Sequence, residues 1–268
     1  MFEFALSGWR SGLRGHSFRG LGVLAVALLG FAYLAAGFSA RQPMTVALDV
    51  GLSGLRFSLV LMALFWVQEL IAREVDRRAI NLSLAYPIDR ASYVIGRFVA
   101  ISGLLLAALL VLGTALWLAT RVSSGGYQQA YQVDLGLPYW VALFGLWLDV
   151  LVVTAFAVML ASLSTVSILP LALGVAFAIA AKTLGSVIDF LFVRDAEGID
   201  GLTERYNPII DSIRWILPDL SRLDWRIWPM YGVSPGTSAM LWSALMAVAY
   251  CALMLSIAVL VFRRREFA

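Results

Sequence analysis

Residues 73–97 read REVDRRAINLSLAYPIDRASYVIGR, a polar stretch with eight charged residues that separates two long apolar segments. The whole chain has 268 residues, of which 61% are hydrophobic and 14% charged, and its mean hydropathy is +0.86. A soluble domain carries about 25% charged residues. Because an unpaired charge is costly in hydrocarbon, the polar stretch must lie in water. The sequence therefore predicts an integral membrane protein with a water-exposed segment between two spans.

Six segments are apolar over the length that a membrane-spanning helix needs, about 20 residues. They lie near residues 21–40, 53–72, 93–120, 138–163, 168–193 and 238–262. We therefore expect an all-α membrane protein with six transmembrane helices in a single domain, residues 1–268. Arg56, near the start of the second segment, is expected to extend its side chain to the membrane surface.

The distribution of basic residues predicts how these helices are oriented. With six spans, both termini and the 73–97 stretch share one side of the membrane, where eleven Lys and Arg residues fall, against eight on the other side. The side richer in basic residues is normally cytoplasmic. We therefore expect both termini and the polar stretch in the cytoplasm, and the connections 41–52, 121–137 and 194–237 outside it.

Two further segments have an amphipathic pattern. In residues 1–19 the apolar face of a helix would comprise Phe2, Leu6, Trp9 and Leu13. This predicts a helix lying in the cytoplasmic interface, with a frayed tail as the alternative because three glycines weaken a helix there. In the loop 194–237, isoleucines recur at helical spacing from Ile209 onward. This predicts short amphipathic helices lying on, or dipping into, the outer leaflet.

The residue order within the polar stretch predicts a short helix between the second and third spans. A charged patch at residues 74–78 leads into alternating apolar residues, and Pro87 ends the helix because it lacks an N–H and its ring clashes with the preceding turn. Asp89 then occupies the N-cap position of the third span. Such a helix would lie along the membrane with one face in the cytoplasm. A plain connecting loop, whose charges serve only topology, is the alternative.

This stretch also resembles a segment of a known family. The run Leu84-Ala85-Tyr86-Pro87-Ile88-Asp89-Arg90, with Glu74 and Ala79-Ile80 before it and Tyr93 and Gly96-Arg97 after it, is similar to the segment between the second and third spans of type-2 (ABC-2 type) ABC transporter permeases. In that family the segment is a cytoplasmic coupling helix that docks into a cleft of a partner ATPase. Within residues 73–92, the resemblance assigns ATPase docking to Glu74, Asp76, Arg77, Arg78, Leu82, Leu84, Tyr86, Pro87, Asp89 and Arg90.

The similarity extends along the chain, with one departure. It covers the amphipathic N-terminus, six spans, the long outer loop with Leu217-Pro218-Asp219-Leu220, and a short basic C-terminus. Many members carry Gly-Thr where this chain has Arg78-Ala79, which changes part of the docking face.

The resemblance implies the membrane subunit of an ATP-driven exporter in the bacterial cytoplasmic (inner) membrane. The chain has no G-x-x-x-x-G-K-[ST] phosphate loop. We therefore expect no catalytic residues and no cofactor in this chain, with ATP and Mg bound by a separate subunit. The implied partners are two copies of an ABC ATPase, a second copy of the permease in a homodimer, and the lipid bilayer. An extracytoplasmic accessory protein is a further candidate partner, and nucleic acid is not expected.

Three ionisable residues lie well within the predicted spans, which makes them candidates for a functional role: Asp149, Lys182 and Asp189. From their depths at 1.5 Å per residue, we predict an ion pair between Lys182 and Asp149 that fixes the packing of spans four and five. The alternatives are that these residues line a substrate path or extend to the interface. The single histidine and single cysteine argue against a zinc, haem or iron–sulfur site built from this chain alone.

Two other classes of function remain open from the residues. An ion-coupled secondary carrier or channel would use Asp149 and Lys182 as a relay. An intramembrane aspartyl protease would need two facing carboxylates, for which Asp149 and Asp189 are candidates at different depths. Co-purification of an ATPase would separate both classes from the transporter.

Overall fold

The computed structural model describes most of the apolar sequence. It covers residue 9 and residues 16–39, 41–72, 90–123, 132–164, 166–196 and 217–264. Residues 73–89 of the predicted coupling segment, which spans 73–92, and the loop residues 197–216 lie outside this coverage.

Seven α-helices follow one another through the described stretches. They are α1 His16–Gly37, α2 Pro43–Val67, α3 Arg90–Ser123, α4 Leu137–Leu163, α5 Leu169–Ala196, α6 Ile227–Tyr231 and α7 Thr237–Arg264. A π-helical turn, Gln68–Ala72, prolongs α2, and a 3-10 turn, Leu220–Leu223, precedes α6. The same stretches contain no β-strand.

The helix lengths agree with the predicted architecture. Among the described residues, five helices are long and apolar enough to cross a membrane, namely α1, α2 with its π-helical turn, α3, α4 and α7. The apolar part of α5 is shorter, Leu169–Gly185. Together these helices confirm the prediction of an all-α membrane protein with about six spans.

The start of α2 differs from the prediction. The sequence predicts a loop at residues 41–52 and a span from 53, whereas the helix begins ten residues earlier, at Pro43. Proline suits the first helical turn, where an N–H would have no partner within the helix. Arg56 consequently lies about 20 Å along α2 from its start, at 1.5 Å per residue. The predicted extension of its side chain to the membrane surface is therefore wrong, because this position is well inside the bundle.

The first helix agrees with the predicted first span. Helix α1 starts at His16, and the part of it that could span a membrane, Gly20–Gly37, begins within one residue of the predicted segment 21–40. The predicted interfacial helix over 1–19 lies largely outside the described residues. Of the residues before His16, the structure describes Trp9, which is helical and lies with its indole ring against Gly103 of α3.

Contacts at both ends of the bundle show that α3 runs antiparallel to α4 and to α7. At one end, Tyr93 at the start of α3 stacks on Phe262 near the end of α7, with 5.6 Å between the ring centroids. At the other end, the Tyr139 hydroxyl near the start of α4 donates a hydrogen bond of 2.6 Å to the carbonyl of Gly113 in α3. We call this second end, where α2, α4 and α7 begin, the insertion end.

A non-spanning segment enters the bundle at the insertion end. This inserted segment, residues 217–226, contains the 3-10 turn, and its side chains Leu220, Leu223 and Trp225 are at most 5% exposed. Two glycines make room for it. The carbonyl of Leu223 and the ring of Trp225 lie against Gly145 of α4, and the Ser221 side chain lies against Gly185 of α5. Gly145 is about 12 Å along α4 from its first residue, so the segment penetrates the bundle to that depth.

The inserted segment satisfies its own backbone locally. The Asp219 carboxylate accepts hydrogen bonds from the backbone N–H and the hydroxyl of Ser221. The Trp225 indole donates to the carbonyl of Arg222 at 2.9 Å. Irregular backbone is tolerated at membrane depth only where protein surrounds it and its polar groups are paired. The helix predicted from Ile209 onward lies outside the described residues. The two short helical elements that follow it, the 3-10 turn and α6, pack against the helix bundle.

Candidate functional site

A buried ion pair joins α2 to α4 beneath the inserted segment. Arg56 Nε donates to Asp149 Oδ2, and Arg56 Nη2 lies 3.4 Å from both Asp149 Oδ1 and the carbonyl of Ala178 in α5. Asp149 is only 3% exposed. A carboxylate this deeply buried must be paired, because an isolated charge is too costly in a low-dielectric interior. Arg56 supplies that partner with two hydrogen-bond donors.

Lys182 has a different partner. Its Nζ donates a hydrogen bond of 2.6 Å to Asp224 Oδ2 in the inserted segment. The predicted ion pair between Lys182 and Asp149 is therefore wrong. The prediction assumed that Asp224 stays in an outer loop and that Arg56 reaches the surface, whereas the inserted segment brings Asp224 down to Lys182 and the long α2 brings Arg56 to Asp149.

Arg226 extends these contacts back to α2. Its Nε donates to Asp224 Oδ1 at 2.7 Å, and its Nη1 donates to Asp49 Oδ1 at 2.9 Å and to Ser53 Oγ at 2.8 Å. Both carboxylate oxygens of Asp224 are thus occupied, one by Lys182 and one by Arg226. The inserted segment is therefore tied to α5 through Asp224 and to α2 through Arg226.

The ionised side chains meet around a cavity of about 20 Å³. Its lining consists of Leu52, Arg56, Ala142, Leu146, Asp149, Lys182, Leu223, Asp224 and Arg226. We call the six residues Asp49, Arg56, Asp149, Lys182, Asp224 and Arg226 the charge network. It has three acidic and three basic members, so it is formally neutral and connects α2, α4, α5 and the inserted segment.

The two loop members of the network are held in their charged forms. Burial raises the pKa of Asp224, but the hydrogen bond and charge of Arg226 and the charge of Lys182 outweigh it and bring the pKa below its ordinary value. Burial lowers the pKa of Arg226, but its bonds to Asp224 and Asp49 raise the pKa above its ordinary value. Both residues are therefore ionised near neutral pH.

A comparison with protein families identifies the chain. The family model described as ABC-2 family transporter protein matches residues 9–267, which include the inserted segment and every member of the charge network. The chain belongs to the ABC-2 family of transporter proteins. It is a multi-pass membrane permease of an ABC transporter, the transmembrane component that associates with an ABC ATPase, and the resemblance drawn from the polar stretch is confirmed. A comparison with curated proteins gives no match.

Two groups of predicted site residues of the permease remain predictions. Of the ten predicted docking residues, Glu74 to Asp89 lie outside the described residues, and Arg90 is described only as the first residue of α3. Asp189 lies in α5, but its side chain is outside the described part of the structure.

Sequence reasoning missed four members of the network, although α2 carries a signal for two of them. Asp49, Ser53 and Arg56 are spaced by four and three residues and so share one face of α2. A polar face on an otherwise apolar spanning helix indicates polar partners within the protein. This polar face becomes apparent once the helix is taken to begin at Pro43. The sequence contains no comparable signal that Asp224 and Arg226 enter the bundle.

Proposed function

We propose that this permease is the membrane subunit of an ATP-driven exporter, in which a separate ATPase docks on residues 73–92. Family membership already gives the ATPase partner. The polar stretch supports the docking position, because it holds eight charged residues directly between α2 and α3. Force applied there would act on both helices at once, since α2 is prolonged to Ala72 and α3 begins at Arg90.

The proposed direction of transport rests chiefly on the inserted segment. Leu223 and Trp225 fill the insertion end against α4, while Asp224 and Arg226 tie the same segment to α5 and α2. A substrate leaving through this end would have to displace the segment. We therefore assign the insertion end to the exit side of the transporter.

The proposed orientation follows from charge and agrees with that assignment. The side that carries both termini and the polar stretch holds more basic residues, which favours the cytoplasm of a bacterium with the protein in its inner membrane. The insertion end then faces outward.

A homodimer is the proposed assembly. The outer face of α1 supports it, since Val26 and Leu34 are each more than half exposed. Such faces are covered by lipid or by a second copy of the permease. Two permease copies would present two docking segments to two ATPase subunits, and an accessory protein would bind at the outward-facing insertion end.

The charge network disfavours the other classes of function. A proton relay needs a carboxylate that is free to change its charge, and a protease needs two facing carboxylates. Asp149 instead faces Arg56, which donates to both of its oxygens.

Co-expression with the partner ATPase tests the docking proposal. The double variant Pro87→Ala/Arg90→Glu should still insert but should lose co-purification of the ATPase, or lose the stimulation of ATP hydrolysis by the permease. The matched control is Arg41→Glu, a charge reversal at the insertion end between α1 and α2. Unchanged co-purification and ATPase activity in the double variant would contradict docking on residues 73–92.

A further inference from the structure

A groove opens between the inserted segment and α7. Its larger part has a volume of about 770 Å³, and a smaller part of about 270 Å³ adjoins it through the shared lining residues Arg222 and Met246. The lining residues on α7 are Ala239, Trp242, Ser243, Met246 and Tyr250. Ala239, Ser243, Met246 and Tyr250 are spaced by four, three and four residues and so form one helical face, with Trp242 at its side. Ligand pockets are typically about 300–1,000 Å³ with apolar walls and a few placed polar groups, and this groove has that size.

One basic side chain in the groove is anchored through its Nε. Arg222 is 62% exposed, and its Nε donates to Asp219 Oδ2 at 3.2 Å. Its carbonyl accepts from the Trp225 indole, which fixes the backbone. The two terminal amino groups of Arg222 make no hydrogen bond to any residue that the structure describes. A guanidinium held in this way is suited to bind the oxygens of a phosphate group.

The nearby carboxylates are already occupied. Asp219 accepts from Ser221 through Oδ1 and from Arg222 through Oδ2. Asp224, which also lines the groove, accepts from Lys182 and Arg226. Arg222 is therefore the charged side chain of the lining that still has donors available, which favours an anionic group over a cation.

The rest of the lining suits a hydrocarbon chain. Trp242 is 69% exposed on the outer face of α7, and Ala239 and Met246 continue the apolar wall one turn to either side. Exposed tryptophan is enriched where lipid headgroups meet acyl chains. The groove thus places a phosphate-binding side chain beside an apolar wall at that boundary.

We propose that this groove is a binding site for a membrane phospholipid, with its phosphate group on Arg222 and an acyl chain along Trp242 and Met246. The inference goes beyond the exporter function and does not depend on it, because lipid binding is measured without ATP or transport. A bound phospholipid would contact the inserted segment directly, through Arg222.

Native mass spectrometry of the purified, delipidated full chain tests the site. Three probes separate the sources of affinity: phosphatidylglycerol, diacylglycerol with the same chains, and glycerol 3-phosphate. The expected result is that phosphatidylglycerol binds at least tenfold more tightly than either of the other two. Arg222→Ala should weaken phosphatidylglycerol binding at least tenfold and leave diacylglycerol binding unchanged.

Two further variants test the apolar wall of the groove and provide a control for the loss of an arginine. Ala239→Trp fills the apolar wall without touching Arg222 and should also weaken phosphatidylglycerol binding. Arg121→Ala is the matched control, because Arg121 also belongs to the insertion end and lies 3.9 Å from the ring of Trp117; it should bind like the unaltered chain. Equal phosphatidylglycerol binding in Arg222→Ala and the unaltered chain would overturn the proposal. So would glycerol 3-phosphate binding as tightly as the lipid, because the site would then recognise a free anion.

Discussion

Lys182 of α5 donates a hydrogen bond of 2.6 Å to Asp224, a residue 42 positions later in the chain that belongs to the inserted segment. This bond joins one of the long helices to a segment that is not itself a spanning helix. Arg226 of the same segment donates both to Asp224 and to Asp49 of α2, so these two residues together connect the inserted segment to two helices. Displacement of the segment therefore requires that at least two ion pairs open.

A double-mutant cycle on Lys182→Met and Asp224→Asn should reveal a direct coupling between the two side chains. Both are about one-fifth exposed, and contacting ion-pair residues typically couple by about 0.5–3 kcal/mol. Thermal unfolding of the four purified proteins in one detergent measures it. The control cycle pairs Lys182→Met with Asp149→Asn, and we expect a smaller coupling there because no hydrogen bond joins the two residues. A larger coupling in the control cycle would restore the Lys182–Asp149 pair and contradict the network described here.

Arg56→Met should be among the most destabilising single changes in the permease. It leaves the Asp149 carboxylate buried without its partner, which typically costs about 3–5 kcal/mol. The double variant Arg56→Met/Asp149→Leu should be more stable than Arg56→Met alone, because the stranded charge is then removed together with its partner. The yield of folded protein and the unfolding midpoint measure both effects. A double variant that is less stable than Arg56→Met would show that Asp149 does not depend on Arg56.

The sequence predicts the helical architecture well because apolar length is a local property. It predicts α4 within one residue at its start and at its end, since the apolar run is bounded by Pro138 and by the polar turn after Leu163. It places the start of α2 too late because Gln42, Thr45 and Asp49 interrupt the apolar pattern. Thr45 and Asp49 nevertheless belong to the helix, and Asp49 accepts a hydrogen bond from Arg226, a partner 177 positions away in the chain.

The candidate site was less predictable than the fold, because its contacts join residues that are far apart in the sequence. Asp149 and Lys182 are detectable, since each is an ionisable residue in an apolar segment. Their partners cannot be detected in the sequence in this way. The depth of Asp224 in the bundle depends on the space that Gly145 and Gly185 leave for the inserted segment. The docking residues around Pro87 present a third case, since their role depends on a second polypeptide.

Gly145→Ala should displace the inserted segment. A Cβ at this position would lie 2.5 Å from the carbonyl oxygen of Leu223 and 2.8 Å from the ring of Trp225, so backbone or ring must shift. Overpacking of this kind typically costs about 1–3 kcal/mol. Gly30→Ala in α1 is the matched control, because nothing lies within 4 Å of its added Cβ, and alanine there should be neutral or mildly stabilising. The thermal unfolding midpoints of both variants test this prediction. Equal midpoints would show that the inserted segment does not pack tightly on α4.

The stability contribution of Asp224 should disappear in acid. Its pKa lies below the ordinary value of 3.8 in the folded protein, so folding favours the ionised form. The contribution is complete above pH 3.8 and is lost as the pH falls through the lower folded pKa. Asp224→Asn should therefore unfold at a lower temperature than the unaltered chain near pH 7, and the gap should narrow as the pH drops below 3.8. Unfolding midpoints of both proteins across this range test the prediction. A gap that stays constant with pH would mean that the carboxylate stabilises the inserted segment through its shape alone and not through its charge.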